Sequence, residues 1–421
     1  GYHEPYHGPL DRQRLDAIAT DRPIMIWQRS VHEMYFNSRA LEELGLTKEE
    51  FAGEPHANWE RGHLWETGLF SLGKPMMAKI ASPANYLRGL SVMSELIHRG
   101  GVTTVGEQGF PQTSSLLEYW SLRWEIGNRP YRFVLVPNAM YFSNELNSTR
   151  EVGAAAQDLL GKSSDRIRVQ KHIKYYADGA IYSQLMQMTQ PYLDGHHGEW
   201  MIPPARQTEL LRAFWQAGWD VHIHVNGDAG LDKVLDDIER MRAELPAHNP
   251  RIVLEHYGYA RDDQHKRVAS LGVAVSNNPY YLYELAPVYA EFGLGRQRSE
   301  NISPLGGLYG AGVDLSFHSD FTMAPLQPLT LAWVAINRIA SDGQQWGTVQ
   351  TIPLDAALAA ITIGAARSLG LEDEIGSIEP GKKADFTVLE DDPYEVPIAE
   401  LNTIRIWGTV FEGEVYPLQQ R

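Results

Sequence analysis

The stretch Val221-His222-Ile223-His224-Val225 leads through the turn Gly227-Asp228 into an amphipathic segment at residues 229–244. A short β-branched run, a turn and a helical pattern of this length are typical of one βα unit. A second apolar run, residues 252–256, follows that segment. Because repeated βα units place parallel strands side by side under covering helices, this stretch predicts an α/β fold with a parallel sheet.

The same alternation continues in both directions along the chain. Amphipathic stretches such as residues 207–218, 262–272 and 354–369 separate the apolar runs, and the second of these stretches ends at a glycine, a helix stop signal. We therefore expect a TIM-type (β/α)8 barrel in which the strands come from seven runs: residues 102–105, 133–136, 167–175, 221–225, 252–256, 273–276 and 313–317.

The two ends of the chain depart from this rhythm. Residues 1–86 are rich in Trp, His and Pro, and we interpret them as an irregular or helical insertion beside the barrel mouth, with the barrel itself at 87–369. Residues 370–421 predict a small β-rich module. Within it, Pro380-Gly381 forms a turn before a strand, and residues 403–415 form a hairpin with Glu412-Gly413 near its turn.

Composition narrows the class of protein. The 37 basic and 53 acidic residues give a formal charge of −16, which argues against nucleic acid as a partner. No apolar run is long enough to cross a bilayer, so we expect a soluble protein with a small-molecule substrate and no membrane partner. The start at Gly1-Tyr2-His3 lacks a methionine and a signal-like region, so the compartment stays open, with the cytoplasm favoured. A homo-oligomer also stays open.

Four polar residues lie at or near the ends of predicted strands, where the loops of a barrel converge on one mouth. They are Lys174, His224, His256 and Asp320. The chain contains no cysteine, so a transition metal must be held by imidazole, carboxylate or modified lysine. A divalent ion with an open position lowers the pKa of a water to ~7, and Asp320 is placed to take that water's proton during catalysis.

Each of these residues has a structural alternative. A chain with 15 histidines places some near strand ends by chance, and a lone His224 or His256 is more often structural than a ligand. Two histidines and an aspartate on separate strands together favour a metal site. His222 lies on the same strand face as His224. One of the two histidines is therefore a candidate ligand, and the other could support that ligand from behind. Lys174 either reacts with carbon dioxide to give a carbamate ligand or pairs with Asp178.

Aromatic residues near predicted loops suggest a substrate with an aromatic or apolar body. We assign substrate contacts to His32, Tyr176, Tyr257 and Tyr280. The run Tyr280-Tyr281-Leu282-Tyr283 either lines a pocket or packs under a loop. No Gly-x-Ser-x-Gly motif surrounds Ser319, which argues against serine catalysis.

Several motifs together resemble the amidohydrolase superfamily, in the amidohydrolase family 3 branch that includes N-substituted formamide deformylases. They are Asn37-Ser38-Arg39-Ala40-Leu41, Gly101-Val102-Thr103-Thr104-Val105, Lys174-Tyr175-Tyr176-Ala177-Asp178-Gly179, His224-Val225-Asn226-Gly227-Asp228, Glu255-His256, Ser319-Asp320 and Gly376-Ser377-Ile378-Glu379-Pro380-Gly381-Lys382-Lys383-Ala384-Asp385. The resemblance implies a distorted (β/α)8 barrel with a composite β-sandwich and one or two divalent ions, zinc above all.

By the same resemblance, the ligands are a carboxylated Lys174 on strand 4, His224 on strand 5, His256 on strand 6 and Asp320 on strand 8. The chain departs from the family pattern in two places. His318 stands two positions before Asp320, where the family usually has a small residue. The strand 1 His-x-His pair is missing too, because His222-Ile223-His224 is the only such spacing and fits strand 5.

A seven-stranded barrel would leave unpaired backbone at two buried edges. We therefore expect a preceding segment, on the order of a hundred residues, or a separate chain to supply strand 1 and half of the sandwich. The main hypothesis is a metal-dependent hydrolase of amide or formamide C–N bonds. The alternatives are a metal-poor barrel with a binding or regulatory role, and a deaminase or other hydrolase of the same superfamily.

Overall fold

The computed structural model describes residues 2–73, 75–76, 82–111, 115–127, 129–145 and 148–418. Backbone contacts divide the chain into two compact units. The first comprises Gly1–Gly89 and Gly179–Leu185, and the second comprises Leu90–Asp178 and Met186–Arg421. The helix Pro83–Arg99 contains one boundary between them. The predicted domain limits at 86/87 and 369/370 stay predictions.

The first unit contains a small antiparallel sheet, so the expectation of an irregular or helical segment was wrong in this respect. Its strands pair in the order β1-β2-β4-β3. They have only two to four residues each, too few to show a period of two in the sequence. The strands are β1 Met25–Trp27, β2 Glu33–Phe36, β3 Ala57–Asn58 and β4 His63–Trp65, and the helices are Glu4–His7, Arg12–Ile18, Ser38–Leu44, Lys48–Ala52 and Glu66–Leu72, with a 3-10 turn at Ile181–Ser183.

The second unit is built on parallel strands, as the βα pattern predicts. In the described residues these strands form two sheets, ordered β5-β6-β7 and β12-β11-β10-β9-β8, and every neighbouring pair within them is parallel. The strands are β5 Thr104–Phe110, β6 Arg132–Pro137, β7 Ile167–Val169, β8 His172–Tyr176, β9 Asp220–Val225, β10 Ile252–His256, β11 Ala274–Asn277 and β12 Leu315–Phe317.

Each of the seven predicted runs overlaps a strand, and the run at 167–175 overlaps two. β7 pairs with β6, whereas β8 pairs with β9, and the N–H of His172 turns back to donate to the carbonyl of Gln170. An isolated bridge between Asn138 and Lys174 links the end of β6 to β8. The break at Gln170 thus transfers the chain from one sheet to the other. Periodicity did not reveal it, because apolar side chains stand at alternate positions on both sides of the break, at Ile167, Val169, Ile173 and Tyr175.

The helices of the second unit include those predicted at 207–218, 229–244 and 262–272. The stretch at 354–369 is helical as predicted, but it forms two helices, because the chain leaves helical geometry at Thr362, whose φ is −126° and ψ −97°. The helices are Pro83–Arg99, Ser115–Ile126, Ala139–Glu145, Thr149–Leu160, Pro204–Gln216, Asp228–Glu244, Asp262–Ser270, Tyr280–Phe292, Arg296–Ser299, Leu305–Gly310, Pro328–Asn337, Leu354–Ala360 and Ile363–Ser368, with 3-10 turns at Thr348–Gln350 and Ile398–Thr403.

The C-terminal part forms a three-stranded antiparallel sheet in the order β13-β14-β15, from Phe386–Leu389, Ile406–Phe411 and Glu414–Pro417. The predicted hairpin is confirmed, with its turn at Glu412-Gly413, where both φ angles are positive, as two-residue hairpin turns require. Buried Arg132 at the start of β6 pairs with Asp385 at 2.5 Å and Glu412 at 3.0 Å. These ion pairs attach the sheet to the parallel strands.

Among the helices that the structure describes, none is long and apolar enough to cross a membrane.

Candidate metal centre

Strand register places one row of polar side chains on a single face of the parallel sheet. Lys174 on β8 is opposite His222 on β9, and His224 on β9 is opposite Glu255 on β10. Glu255 is in turn opposite Ser276 on β11. Because side chains alternate between faces with a period of two, residues in register on parallel strands share a face. The sequence therefore folds these five residues toward one region.

His256 reaches the same region although it follows Glu255 directly, which alternation alone would not allow. Its φ is +75°, an uncommon value for a residue with a side chain, and its ring centroid lies 4.4 Å from that of His224. Asp320 has a φ of +47°. The Asn277 amide donates to the carbonyl of His256 at 2.7 Å, and the Asn278 amide donates to that of Ser319 at 3.1 Å. These buried amides support the unusual backbone at both positions.

His256, His318 and Asp320 form a group that we call the strand-end cluster. One possible ligand atom from each lies within 4.8 Å of the others. Nδ1 of His256 is 3.1 Å from Nε2 of His318 and 3.9 Å from Oδ2 of Asp320. The Tyr281 hydroxyl lies beside them, 3.0 Å from Nδ1 of His256 and donating to Asp320 Oδ2 at 3.3 Å. The Asp320 side chain is 44% exposed, so solvent reaches this cluster.

A second group, which we call the buried chain, lies behind it and consists of His172, His222 and Glu255. Nδ1 of His172 is 2.9 Å from Nε2 of His222, and Nδ1 of His222 is 2.7 Å from Oε1 of Glu255. Burial alone would raise the pKa of Glu255, but the hydrogen bond from His222 and the charge of Lys174 lower it to about 2. The other oxygen of Glu255 is 3.6 Å from Nδ1 of His318, so this carboxylate connects the two groups.

Lys174 is buried with only 3% of its surface exposed. Burial lowers the pKa of its amine, while the charges of Glu255, Asp320 and Glu107 oppose that shift. Burial together with the neighbouring charge of Glu118 raises the pKa of Glu107 to about 7. Nζ of Lys174 lies 5.4 Å from the ring centroid of Tyr176. Within the part of the chain that the structure describes, no hydrogen bond holds that ammonium, and the three carboxylates act on it only through their charge.

The loop after β9 is held by Asp178, the residue that we considered as a partner for Lys174. Its oxygens accept the backbone N–H groups of Asn226 and Gly227, each at 2.8 Å. The Asn226 amide nitrogen then lies 3.0 Å from Nε2 of His224. Gly227 must lack a side chain here, because a Cβ would lie 2.1 Å from the carbonyl oxygen of Gln187. This loop therefore orients His224.

The four predicted substrate contacts lie in different surroundings. The Tyr176 ring centroid is 5.4 Å from that of His224, so this residue borders the centre. The hydroxyl of Tyr257 is 3.2 Å from Nδ1 of His265, and the ring of Tyr280 packs on Tyr283 at 4.9 Å. His32 belongs to the first unit, where its Nδ1 is 2.8 Å from Oε2 of Glu66. Their contact with substrate stays a prediction.

Sequence reasoning did not assign a site role to Glu255 or Asn277, and it noted His318 only as a departure from the family pattern. It considered Tyr281 only within a run that either lines a pocket or packs under a loop. The spacing His318-Ser319-Asp320 could have indicated a shared direction, as His222-Ile223-His224 did on β9. For Tyr281 the helix phase decides: Tyr280–Phe292 buries Tyr281 and directs its hydroxyl to His256. That phase cannot be read from a run of three tyrosines.

Imidazole nitrogens and carboxylate oxygens are ligands that suit a borderline divalent ion such as zinc. The described residues around His256 supply such a set within 4.8 Å, so the side chains fit a metal ion. The model for the amidohydrolase family matches residues 6–417. The chain belongs to the amidohydrolase family. It is a hydrolase acting on C–N bonds, and the resemblance inferred from its motifs is confirmed.

Comparison with curated proteins gives a relative that matches nearly the whole of this chain. The chain is 25% identical over 423 residues to an N-substituted formamide deformylase from Arthrobacter pascens, covering 96% of this chain and 74% of the relative.

Two solved structures share the fold. A metal-dependent hydrolase from Pyrococcus horikoshii has a TM-score of 0.72 at 22% identity, covering 94% of this chain and 77% of that one. A mutant atrazine chlorohydrolase from Arthrobacter aurescens, complexed with zinc and atraton, has a TM-score of 0.54 at 17% identity, covering 85% and 77%.

Proposed function

We propose that this amidohydrolase cleaves an amide- or formamide-type C–N bond in a small molecule. The ligands would be a carboxylated Lys174 with His224, His256 and Asp320, and zinc would be the ion, in one or two copies. The observation that carries the proposal is the meeting of His224, His256 and Asp320 at the carboxyl ends of β9, β10 and β12, through a 4.4 Å ring contact and a 3.9 Å atom pair. The deformylase named above and the zinc-bound hydrolase support the substrate class and the metal.

A divalent ion at these ligands would polarise the substrate carbonyl and lower the pKa of a water to about 7. The exposed carboxylate of Asp320 would take the proton from the attacking water and return it to the leaving nitrogen. Tyr281, which donates to Oδ2 at 3.3 Å, would leave the other oxygen of Asp320 directed toward substrate. Tyr176 would supply an aromatic wall next to His224.

Carboxylation of Lys174 is the step that would complete the ligand set. A buried ammonium without a hydrogen bond is costly, and a cation there would repel metal ions. Addition of carbon dioxide to the neutral amine forms a carbamate and releases a proton. The product is a carboxylate-like group with two oxygens, which could bridge two ions.

The proposal also includes a (β/α)8 barrel at 87–369 and a part of a β-sandwich at 370–421. The parallel register from β8 to β12 and the antiparallel sheet β13-β14-β15 support these two architectures. A strand 1 supplied by a preceding segment or a second chain stays a prediction, as does a homo-oligomer.

Metal analysis followed by substrate screening tests this function. Purified protein should contain zinc, iron or manganese at near-stoichiometric amounts. A panel of N-formyl, N-acyl and cyclic amide substrates should reveal hydrolysis that a chelator abolishes and added metal restores. A metal-free protein that binds small molecules without turnover would contradict the proposal and favour a binding or regulatory role. Turnover confined to aminated heterocycles, with ammonia released, would replace it with deamination.

A further inference from the structure

His318 has no ligand role in the family pattern, which usually has a small residue at its position. We propose that Nε2 of His318 is a metal ligand in this chain and that it forms, with His256 and Asp320, a three-residue site for a divalent cation of the zinc type. The inference rests on the proposed function for its metal requirement. It adds a ligand that the family resemblance does not supply.

Distances within the strand-end cluster carry the proposal. Two nitrogen ligands at about 2.0–2.1 Å from a tetrahedral ion lie roughly 3.3 Å apart. Nε2 of His318 and Nδ1 of His256 are 3.1 Å apart, and Oδ2 of Asp320 is 3.9 Å from the same Nδ1. The three ligand atoms lie within 4.8 Å of one another. A cation between them would require only small side-chain adjustments.

The opposite nitrogen of His318 is held in the way that metal-binding histidines usually are. Nδ1 lies 2.8 Å from the hydroxyl of Ser276 and 3.6 Å from Oε2 of Glu255. A carboxylate behind the ring favours a proton on Nδ1, which leaves the lone pair of Nε2 directed at the cluster. Because Ser276 and Glu255 lie in register on neighbouring strands, the sheet itself orients this ring.

Exposure separates His318 from a merely structural histidine. Its side chain keeps 20% of its surface exposed, and the neighbouring Asp320 keeps 44%, so a hydrated cation can enter. The competing polar contact is the hydroxyl of Tyr281, 3.0 Å from Nδ1 of His256. A bound cation would displace the Tyr281 hydroxyl from Nδ1 of His256. The hydrogen bond from Tyr281 to Asp320 could still form.

Titration of the chelator-treated full chain with Zn²⁺ and Co²⁺ tests the assignment. The variants are His318→Gln and a matched control, His248→Gln, which removes an exposed imidazole in the loop after the helix Asp228–Glu244. Stoichiometry, Kd and the visible spectrum of bound Co²⁺ are measured. Loss of a residue that only hydrogen-bonds to a metal ligand weakens metal binding about 10–100-fold. Loss of a ligand itself, in His318→Gln, should therefore weaken binding more than about 100-fold. The Co²⁺ spectrum should change in that variant and stay constant in His248→Gln.

A second variant keeps the test decisive if His318→Gln does not fold. Ser276→Ala removes only the hydroxyl behind Nδ1 and should weaken binding about 10-fold or more with a small spectral change. The proposal would be overturned if folded His318→Gln kept the Kd and the Co²⁺ spectrum of the wild type. If only Ser276→Ala folds, the same result in that variant would overturn it. The proposed function would then survive, because wild-type protein still binds metal. Wild-type protein that takes up no metal would overturn both.

Discussion

The strand-end cluster and the buried chain contain the same kinds of side chain, two imidazoles and a carboxylate, yet their surroundings differ. In the buried chain, Nδ1 and Nε2 of His172 face His222 and Asp220 at 2.9 and 3.6 Å, and His222 contacts Glu255 at 2.7 Å. In the strand-end cluster, three ligand atoms point at one another and Asp320 is open to solvent. The comparison teaches that a structural histidine and a ligand histidine differ in the partners of their ring nitrogens.

Replacing Asp320 with asparagine should give the largest effect. The amide keeps the shape but cannot accept the proton of the attacking water, and general acid–base groups contribute about 10²–10⁴-fold. Because the carboxylate would also be a ligand, we expect kcat/KM to fall to the upper end of that range, about 10⁴-fold. Steady-state kinetics on a substrate found in the panel measures this.

The free energy of unfolding should change by less than about 0.5 kcal/mol in this variant, because the side chain is exposed. If Asp320→Asn also lowered the free energy of unfolding well beyond this limit, the strand-end cluster would be structural like the buried chain. The comparison would then fail.

Lys174 lies on β8, two residues after His172, and sharpens the comparison because it is buried yet has no hydrogen-bonded partner among the described residues. Loss of a residue that only supports a metal ligand lowers metal affinity by ~10–100-fold. Lys174→Ala should lower metal affinity by at least as much, and activity should fall in parallel. In CO2-free buffer, bicarbonate should increase zinc uptake by the wild-type apoprotein and leave the variant unaffected.

Lys171→Ala is the matched control, since that lysine is exposed and donates to the carbonyl of Ala217. If bicarbonate does not change zinc uptake by the wild-type apoprotein, and Lys174→Ala has the same metal content, the amine of Lys174 is not modified.

These groups also show how much the sequence could predict. β-branched and apolar runs located the parallel strands, because most residues of these strands are buried, and all seven runs overlap strands. The motifs gave His224, His256 and Asp320, which the structure brings to one place. The antiparallel sheet of the first unit escaped prediction, since strands as short as Ala57–Asn58 carry no periodic signal.

Backbone geometry explains most of what the sequence could not predict in the site. Alternation assigns Glu255 and His256 to opposite faces, and only the positive φ of His256 brings its ring to His224. Local propensity cannot foresee that value, because it depends on donation from Asn277, which lies on the next strand. The connection between the two groups through Glu255 likewise depends on register across three strands.

A matched pair of leucine variants tests the comparison directly. His224 and His172 are both buried, with 3% and 4% exposed. We expect His224→Leu to weaken zinc binding more than about 100-fold, with a smaller loss of stability. His172→Leu should lower the free energy of unfolding by about 1–3 kcal/mol, because Nε2 of His222 loses its partner, while zinc affinity stays within about threefold. Metal titration and urea denaturation of both variants measure this, and the reverse pattern would contradict the assignment of the two groups.

The smallest effect should come from Tyr281→Phe, which removes one hydroxyl and leaves the ring in place. That hydroxyl donates to Asp320 at 3.3 Å and lies 3.0 Å from His256, so it orients the carboxylate without supplying a charge. A hydrogen bond to a charged group contributes about 1.5–3 kcal/mol at full strength, and 3.3 Å is long for one between oxygens, so a loss of about tenfold in kcat is reasonable. KM and zinc affinity should stay nearly constant. If zinc affinity instead fell as far as in His224→Leu, the hydroxyl would belong with the ligands, and the boundary of the strand-end cluster would have to include Tyr281.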